Sequence, residues 1–237
     1  ANTEIEYANS LGIETIVTDH HEPSLELPNA LAVIDNKRKD STYPFRELAG
    51  VGVVFKLIQA LGIKLNLKEE EYLKYLDIVC IGTISDIVPL TSENRVIAKL
   101  GLMLIKQTRN IGLRSIINSS GYSKIDSNTI SFGVAPRINA CGRMGKAENA
   151  LKLLLSPNIN EVSELTKELN EYNRIRQETE KEIFESATKK IEKEHLDKNR
   201  TIVVGGENWH HGVIGIVSSK VTEMYFKPSI LLSFEED

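Results

Sequence analysis

Cysteine is almost missing from this chain: Cys80 and Cys141 are the only two among 237 residues, and their spacing is not CxxC. A disulfide framework is thereby excluded, and a reducing compartment fits best. Long apolar runs are missing too; none approaches the ~18 residues that a membrane-spanning helix needs, so no membrane crossing is expected. No basic and apolar leader opens the sequence, which favours a cytoplasmic protein over a secreted one. Nor does charge of one sign dominate, since 29 Lys and Arg against 33 Asp and Glu leave −4. That balance argues against a broad nucleic-acid coat but leaves room for a local basic groove. No internal repeat or low-complexity tract is visible. What remains is an ordinary globular mix, 41% hydrophobic and 26% charged, long enough for one large domain or two modest ones.

The apolar pattern reads as α/β. Glu4 to Leu11 has helical spacing and Gly12 suits a left-handed cap after it. Ile13 to Thr18 and Ala30 to Ile34 read as strands, rich in β-branched residues. Helix and strand alternating in this way imply a mostly parallel sheet. A crossover helix normally follows a strand, and none precedes Glu4, so the chain is expected to start inside a larger α/β domain. Helices are expected at Val51 to Leu61, Glu69 to Thr83 and Glu93 to Gln107. The Gly- and Pro-rich stretch Ser131 to Gly145 is expected to be irregular. A long polar helix begins near Asn158, a plausible N-cap, with Glu161 completing a capping box. From Glu161 to Leu196 it would run about 54 Å, suiting a connector between two lobes; an ordinary amphipathic helix with a solvated charged face is the alternative. Strand Thr201 to Val204, loop "GGENWHHG", helix Val213 to Met224 and strand Ser229 to Phe234 then form a unit too short to close a domain alone.

Four clusters carry possible chemistry. "VTDHHEP" places Asp19, His20 and His21 after a strand, where ligands gather in parallel sheets. Imidazole and carboxylate together suit Mn, Zn or Mg, and Asp19 could fix a histidine tautomer; a polar turn with chance histidines is the plain alternative. In "CIGTISDIVPL", Asp86 ends an apolar segment. It is either a buried acid needing a partner or metal, or a helix cap or turn acid before Pro89. In "PRINACGRMG", Arg137 and Arg143 flank Asn139, and their guanidinium forks match phosphate or simply cap carbonyls. In "GGENWHHGVIGIVSSKV", His210 and His211 precede a helix N-terminus that favours anions. Trp209 there either stacks on a base or packs in the core. Two-metal phosphoester hydrolysis sets its ions about 3.5–4 Å apart and needs several carboxylates. Asp19, His20 and Asp86 are too few for that, in keeping with an incomplete domain.

Together, "VTDHHEP", "GTISDIVPLTSENR", "PRINACGRMG" and "WHHGVIGIVSSKV" resemble, in order, the motifs of the DHH phosphoesterase superfamily. Within it they resemble the bacterial single-strand-specific 5′-to-3′ DNA exonucleases of repair and recombination. The likeness covers nearly the whole chain, "NKRKDSTYPFRELAGVGVVFKL" included. It implies an N-terminally truncated DHH-type parallel-sheet domain at 1–156, a connecting long helix at 157–197 and a partial DHHA1-type α/β lobe at 198–237. It also implies a Mn2+ or Mg2+ site, two-metal in the complete protein. His20 and Asp86 would be metal ligands, His21 would face the scissile phosphate, and Asp19 would support it. Arg137, Asn139, Arg143 and His210 would bind the strand, which would thread between the lobes. The implied partners are single-stranded DNA, single-strand-binding protein and a recombination helicase, with the chain a monomer. Further aspartate motifs of the family have no counterpart here, so this piece alone is expected to have little activity. A phosphoesterase acting on short oligonucleotides or nucleotide phosphates is the nearest alternative. A nucleic-acid-binding relative that lost catalysis is another, disfavoured because His20, His21 and Asp86 are all present.

Overall fold

The computed structural model describes residues 1–235 and divides into two compact units, Ala1–Ala135 and the chain from Pro136 onward. In the first unit, α1 (Asn2–Ser10) leads into β1 (Ile16–Asp19), which pairs in parallel with β2 (Ala32–Asp35). Both strands begin two or three residues later than their apolar runs suggest. The register sets Asp19 opposite Asp35, so two acids share the carboxyl end of the sheet. Gly12 takes φ +73° after α1, and the amides of Gly12 and Ile13 close on Asn9 and Ala8. These bonds satisfy the last carbonyls of the helix in the way its sequence forecasts.

Helices α2 (Gly50–Lys64), α3 (Glu70–Leu73), α4 (Leu76–Ser85), α5 (Ser92–Ile105) and α6 (Ile111–Ser119) follow. The single helix expected over Glu69 to Thr83 is two. The amide of Tyr75 turns back to Tyr72, a tight turn that interrupts the ladder before α4. Helix α4 is buried on nearly every side, through Leu76, Val79, Cys80, Ile81 and Ile84, as befits the centre of a unit. Leu48, Val53, Phe55, Leu76, Val79 and Ile97 make one core cluster, with Ile34, Tyr43 and Phe45 against it.

The irregular segment expected at Ser131 to Gly145 is instead helical: a π-helical turn (Thr129–Val134) runs into α7 (Ala135–Arg143). Pro136 lies inside this continuous helical course, directly after the π-helical turn. Gly145, at φ +74°, ends the helix. Of the Gly and Pro residues only Gly145 marks an end, and the others lie within the helical course without preventing it.

In the second unit, α8 (Ala147–Leu155) packs on α9 (Ile159–Lys193). The 35 residues of α9 span about 52 Å. Asn158 caps it by accepting from the amides of Asn160 and Glu161. The Glu161 carboxylate does not close the box directly; it accepts from the Ser156 hydroxyl, which in turn accepts from the Asn158 amide. Farther along, α9 packs on α10 (His211–Tyr225) and on β3 (Ile202–Glu207), which pairs in parallel with β4 (Ser229–Phe234). The expected loop "GGENWHHG" is therefore shorter: β3 absorbs Gly205 to Glu207 and α10 begins at His211. Trp209 is buried with Ile183, Ile202, Val204 and Val213, a core residue rather than a stacking platform. Among the described residues, no helix is long and apolar enough to cross a membrane.

Candidate functional site

The carboxyl end of β1 turns sharply, and Asp19 makes the turn. Its Oδ1 accepts from the amide of His20 at 2.7 Å, the amide of His21 at 3.2 Å and Nδ1 of His21 at 2.7 Å. Partial burial pushes the Asp19 carboxyl up, but the bonds from the His21 ring and the two amides outweigh it and hold the group below its ordinary value. A carboxylate only accepts, so Nδ1 of His21 is the donor. In the neutral ring the exposed Nε2 of His21 then carries a free lone pair.

His20 turns the other way. Its Nδ1 lies 3.4 Å from Oδ2 of Asp86, a residue distant in sequence. Asp86 is not buried as an acid inside an apolar run would be; it is the C-cap of α4 and its side chain is 39% exposed. The His20 ring also lies against the start of α2. A Cβ on Gly50 would come within 3.0 Å of its Cδ2, so glycine there leaves the ring its place. The two imidazoles are 4.3 Å apart between centroids.

Ligand atoms of Asp19, His20 and His21 all fall within 4.8 Å of one another, the one such group of three or more among the described residues. Two ligands held at about 2.1 Å on adjacent positions of an octahedral ion are ~3 Å apart. The His20–Asp86 separation of 3.4 Å therefore fits two ligands of one ion. Nitrogen with carboxylate oxygen, and no thiolate, suits Mn2+ or Mg2+ better than a structural zinc. Both cysteines are out of contention as nucleophiles: burial pushes the Cys80 thiol up to about 12 and Cys141 up to about 11.

A pocket of about 470 Å³ opens beside the end of β2, lined by Asp35, Asn36, Arg38, Tyr43 and Lys56 among others. Its cations are already engaged, Arg38 with Asp40 and Lys56 with Glu93. Sequence reasoning passed over Gly50 and Asp35. A strand-end acid was visible in "AVIDN", but its register opposite Asp19 was not; nothing in the sequence marked Gly50.

The remaining candidates belong to the second unit. Spacing on α7 separates them, because residues two apart do not share a helix face while residues four apart do. Asn139 and Arg143 are both exposed. Arg137 is half-buried, and its Nε donates to Oδ1 of Asn170 on α9 at 2.6 Å. Arg143 and His210 come together around Gly212. Nη1 of Arg143 donates to the Gly212 carbonyl at 2.8 Å, while Nδ1 of His210 accepts from the Gly212 amide at 3.0 Å and caps α10. An amide only donates, so Nδ1 of His210 is unprotonated and the neutral ring carries its proton on Nε2. His210 lines a hollow of about 530 Å³ with Asn208, Trp209, His211 and Glu235. His211 reaches Glu235 at 2.8 Å through Nε2.

Residues 1–83 match the DHH family, N-terminal domain. Over 99% of its length the chain is 42% identical to the single-stranded-DNA-specific exonuclease RecJ of Bacillus subtilis, of which it spans 29%. Over 95% it is 35% identical to RecJ of Escherichia coli, of which it spans 42%. The crystal structure of RecJ from Thermus thermophilus in complex with Mn2+ superposes with a TM-score of 0.87 at 34% identity, covering 98% of this chain and 34% of that one. A structure of exonuclease RecJ bound to manganese gives 0.85, with 58% of that chain covered. The chain thus spans well under two thirds of these relatives. Its first 83 residues are similar to the N-terminal domain of the DHH family, and nearly all its length is similar to the RecJ exonucleases.

Proposed function

We propose that the chain is the metal-binding part of a longer 5′-to-3′ exonuclease that hydrolyses single-stranded DNA with Mn2+ or Mg2+. The observation that carries this reading is the convergence of Asp86 on His20, 3.4 Å apart, beside a histidine whose tautomer an aspartate fixes. His20 and Asp86 would hold the ion, with Asp19 close by. A bound divalent ion would acidify water and neutralise charge on the phosphate. His21, its Nδ1–H taken by Asp19, would face the scissile phosphate through Nε2, as a proton acceptor when neutral and a donor once protonated. Nε2–H of His210, with Asn139 and Arg143, would hold strand phosphates, and Arg137 would line the strand from α7, steadied by Asn170 on α9. Two-metal hydrolysis would need carboxylates beyond those of this cluster.

The resemblance also supports a division into a DHH domain at 1–156, a connecting helix at 157–197 and a DHHA1-type lobe at 198–237. On the same ground we place the protein in the cytoplasm, as a monomer, in repair and recombination, beside single-strand-binding protein and a recombination helicase. The test is digestion by the full-length protein of a long 5′-phosphorylated single strand, its duplex form and a series of short oligonucleotides, with Mn2+ or with chelator. Metal-dependent loss of the long single strand alone from its 5′ end is expected. Preference for the shortest substrates would instead indicate a small-oligonucleotide phosphoesterase.

A further inference from the structure

One residue beyond Asp86 the backbone does something unfavourable. Helix α4 ends with Asp86 as its C-cap, and the next residue, Ile87, takes φ +57°. That position commonly goes to glycine, because the left-handed region crowds a Cβ. At four other helix ends the position goes to glycine or to a residue that tolerates it better: Gly12 follows α1, Asn66 follows α2, Gly145 follows α7 and His195 follows α9, all at positive φ; Phe226, which ends α10, is the exception. A β-branched residue there is a genuine outlier. Nor does packing repay Ile87, which is 90% exposed. Strain and exposure recur at Phe226, so it is the place of Ile87 beside the cluster that sets it apart, and strained backbone concentrates where a side chain must be presented. The place is suggestive, since the preceding carboxylate faces His20 at 3.4 Å.

We infer that Ile87 is a substrate-contacting residue, whose side chain gives an apolar surface to the sugar and base of the nucleotide whose phosphate meets the Asp86–His20–His21 cluster. The inference rests on the nuclease reading above. A bare aliphatic contact reads no base edge, so it suits an enzyme that must accept every base in turn.

Phe226 supplies a control. It ends α10 at φ +53° and is 92% exposed, so it is strained and bare in the same way. It stands at the opposite end of that 15-residue helix from His210, about 22 Å away along the axis. In the full-length protein, Ile87→Gly and Phe226→Gly should each raise the thermal midpoint, because glycine relieves the strain. Only Ile87→Gly should weaken binding of a 5′-phosphorylated single strand, by about 10-fold, as for losing the burial of one aliphatic side chain. With the 5′-terminal base removed, wild type and Ile87→Gly should bind much more nearly alike. The inference is overturned if Ile87→Gly binds the intact strand as tightly as wild type. It is equally overturned if weaker binding comes with a lowered midpoint, or if Phe226→Gly loses binding to the same extent. Should wild type itself fail to bind or digest single strands, the nuclease reading falls and the inference falls with it.

Discussion

Two His-His pairs stand in this chain, and the backbone puts them to opposite use. His20 and His21 follow a β-strand beside an aspartate; His210 and His211 precede a helix. At the strand end, Asp19 takes the Nδ1 proton of His21 and leaves a lone pair outward. At the helix start, the Gly212 amide occupies Nδ1 of His210 and leaves an N–H outward. A lone pair suits a cation or a proton; an N–H at a helix N-terminus suits an anion. The same dipeptide thus becomes a base-like site in one unit and an acid-like site in the other, through one neighbouring hydrogen bond in each case.

The comparison breaks most visibly at the strand end. His20→Ala or Asp86→Ala in the full-length protein should lower the turnover of metal-dependent digestion by ~10²–10⁴-fold. Midpoints should stay close to wild type, because neither residue is buried. Asp19→Asn keeps the shape but offers an amide that can donate as well as accept, so His21 loses its fixed tautomer. A fall of about 10–100-fold in metal affinity or turnover is expected, measured by Mn2+ titration beside kinetics.

At the helix start the expected effects are smaller and separable. His210→Ala should cost about 0.5–2 kcal/mol of stability through the lost cap. His210→Asn should restore the cap, since an amide oxygen accepts from the Gly212 amide, without restoring the outward Nε2–H. Denaturation midpoints that recover in His210→Asn while strand binding stays weak would sharpen the contrast; binding that recovers with stability would reduce His210 to a cap.

The cysteines should show the smallest effect. Burial raises both thiols, Cys80 to about 12 and Cys141 to about 11, so neither should react with a thiol reagent at pH 8 until the protein unfolds. Because their folded values lie above the ordinary thiol value of 9.0, these groups cost no stability below that pH and withdraw it as pH climbs toward 11 to 12. Replacing either cysteine with serine should therefore flatten the loss of stability above pH 9.0, read from denaturation midpoints across that range, and labelling should track unfolding.

Much of this was legible in the sequence. Strands β1 and β2, the cap at Asn158 and the strand–helix–strand order at the end all followed from local pattern, because each is decided by residues within a few positions. The helical course through Ser131 to Gly145 was not legible, since Gly and Pro disfavour a helix locally and Gly133 and Pro136 are carried inside one here. The break at Tyr75 was likewise hidden, because Tyr72, Leu73, Leu76 and Val79 keep their apolar spacing across it. In the site, Asp19, His20 and His21 were plain as a cluster. A helix cap was one of the readings the sequence offered for Asp86; that it would face His20, and that Gly50 would be needed for the His20 ring, depended on chain segments meeting in space. That Asp19 could fix a histidine tautomer was legible; which ring it would hold, and the tautomer of His210, were not, for they turn on single hydrogen bonds.

On the proposed function, the strand-end pair with Asp86 should bind a divalent ion through imidazole nitrogen. Electron spin-echo envelope modulation on Mn2+ bound to the full-length protein tests it without reference to activity. The account predicts a directly coordinated 14N signal that disappears in His20→Ala while the Mn2+ titration weakens. Bound Mn2+ lacking any nitrogen coupling in wild type, or a coupling unchanged by His20→Ala, would contradict it.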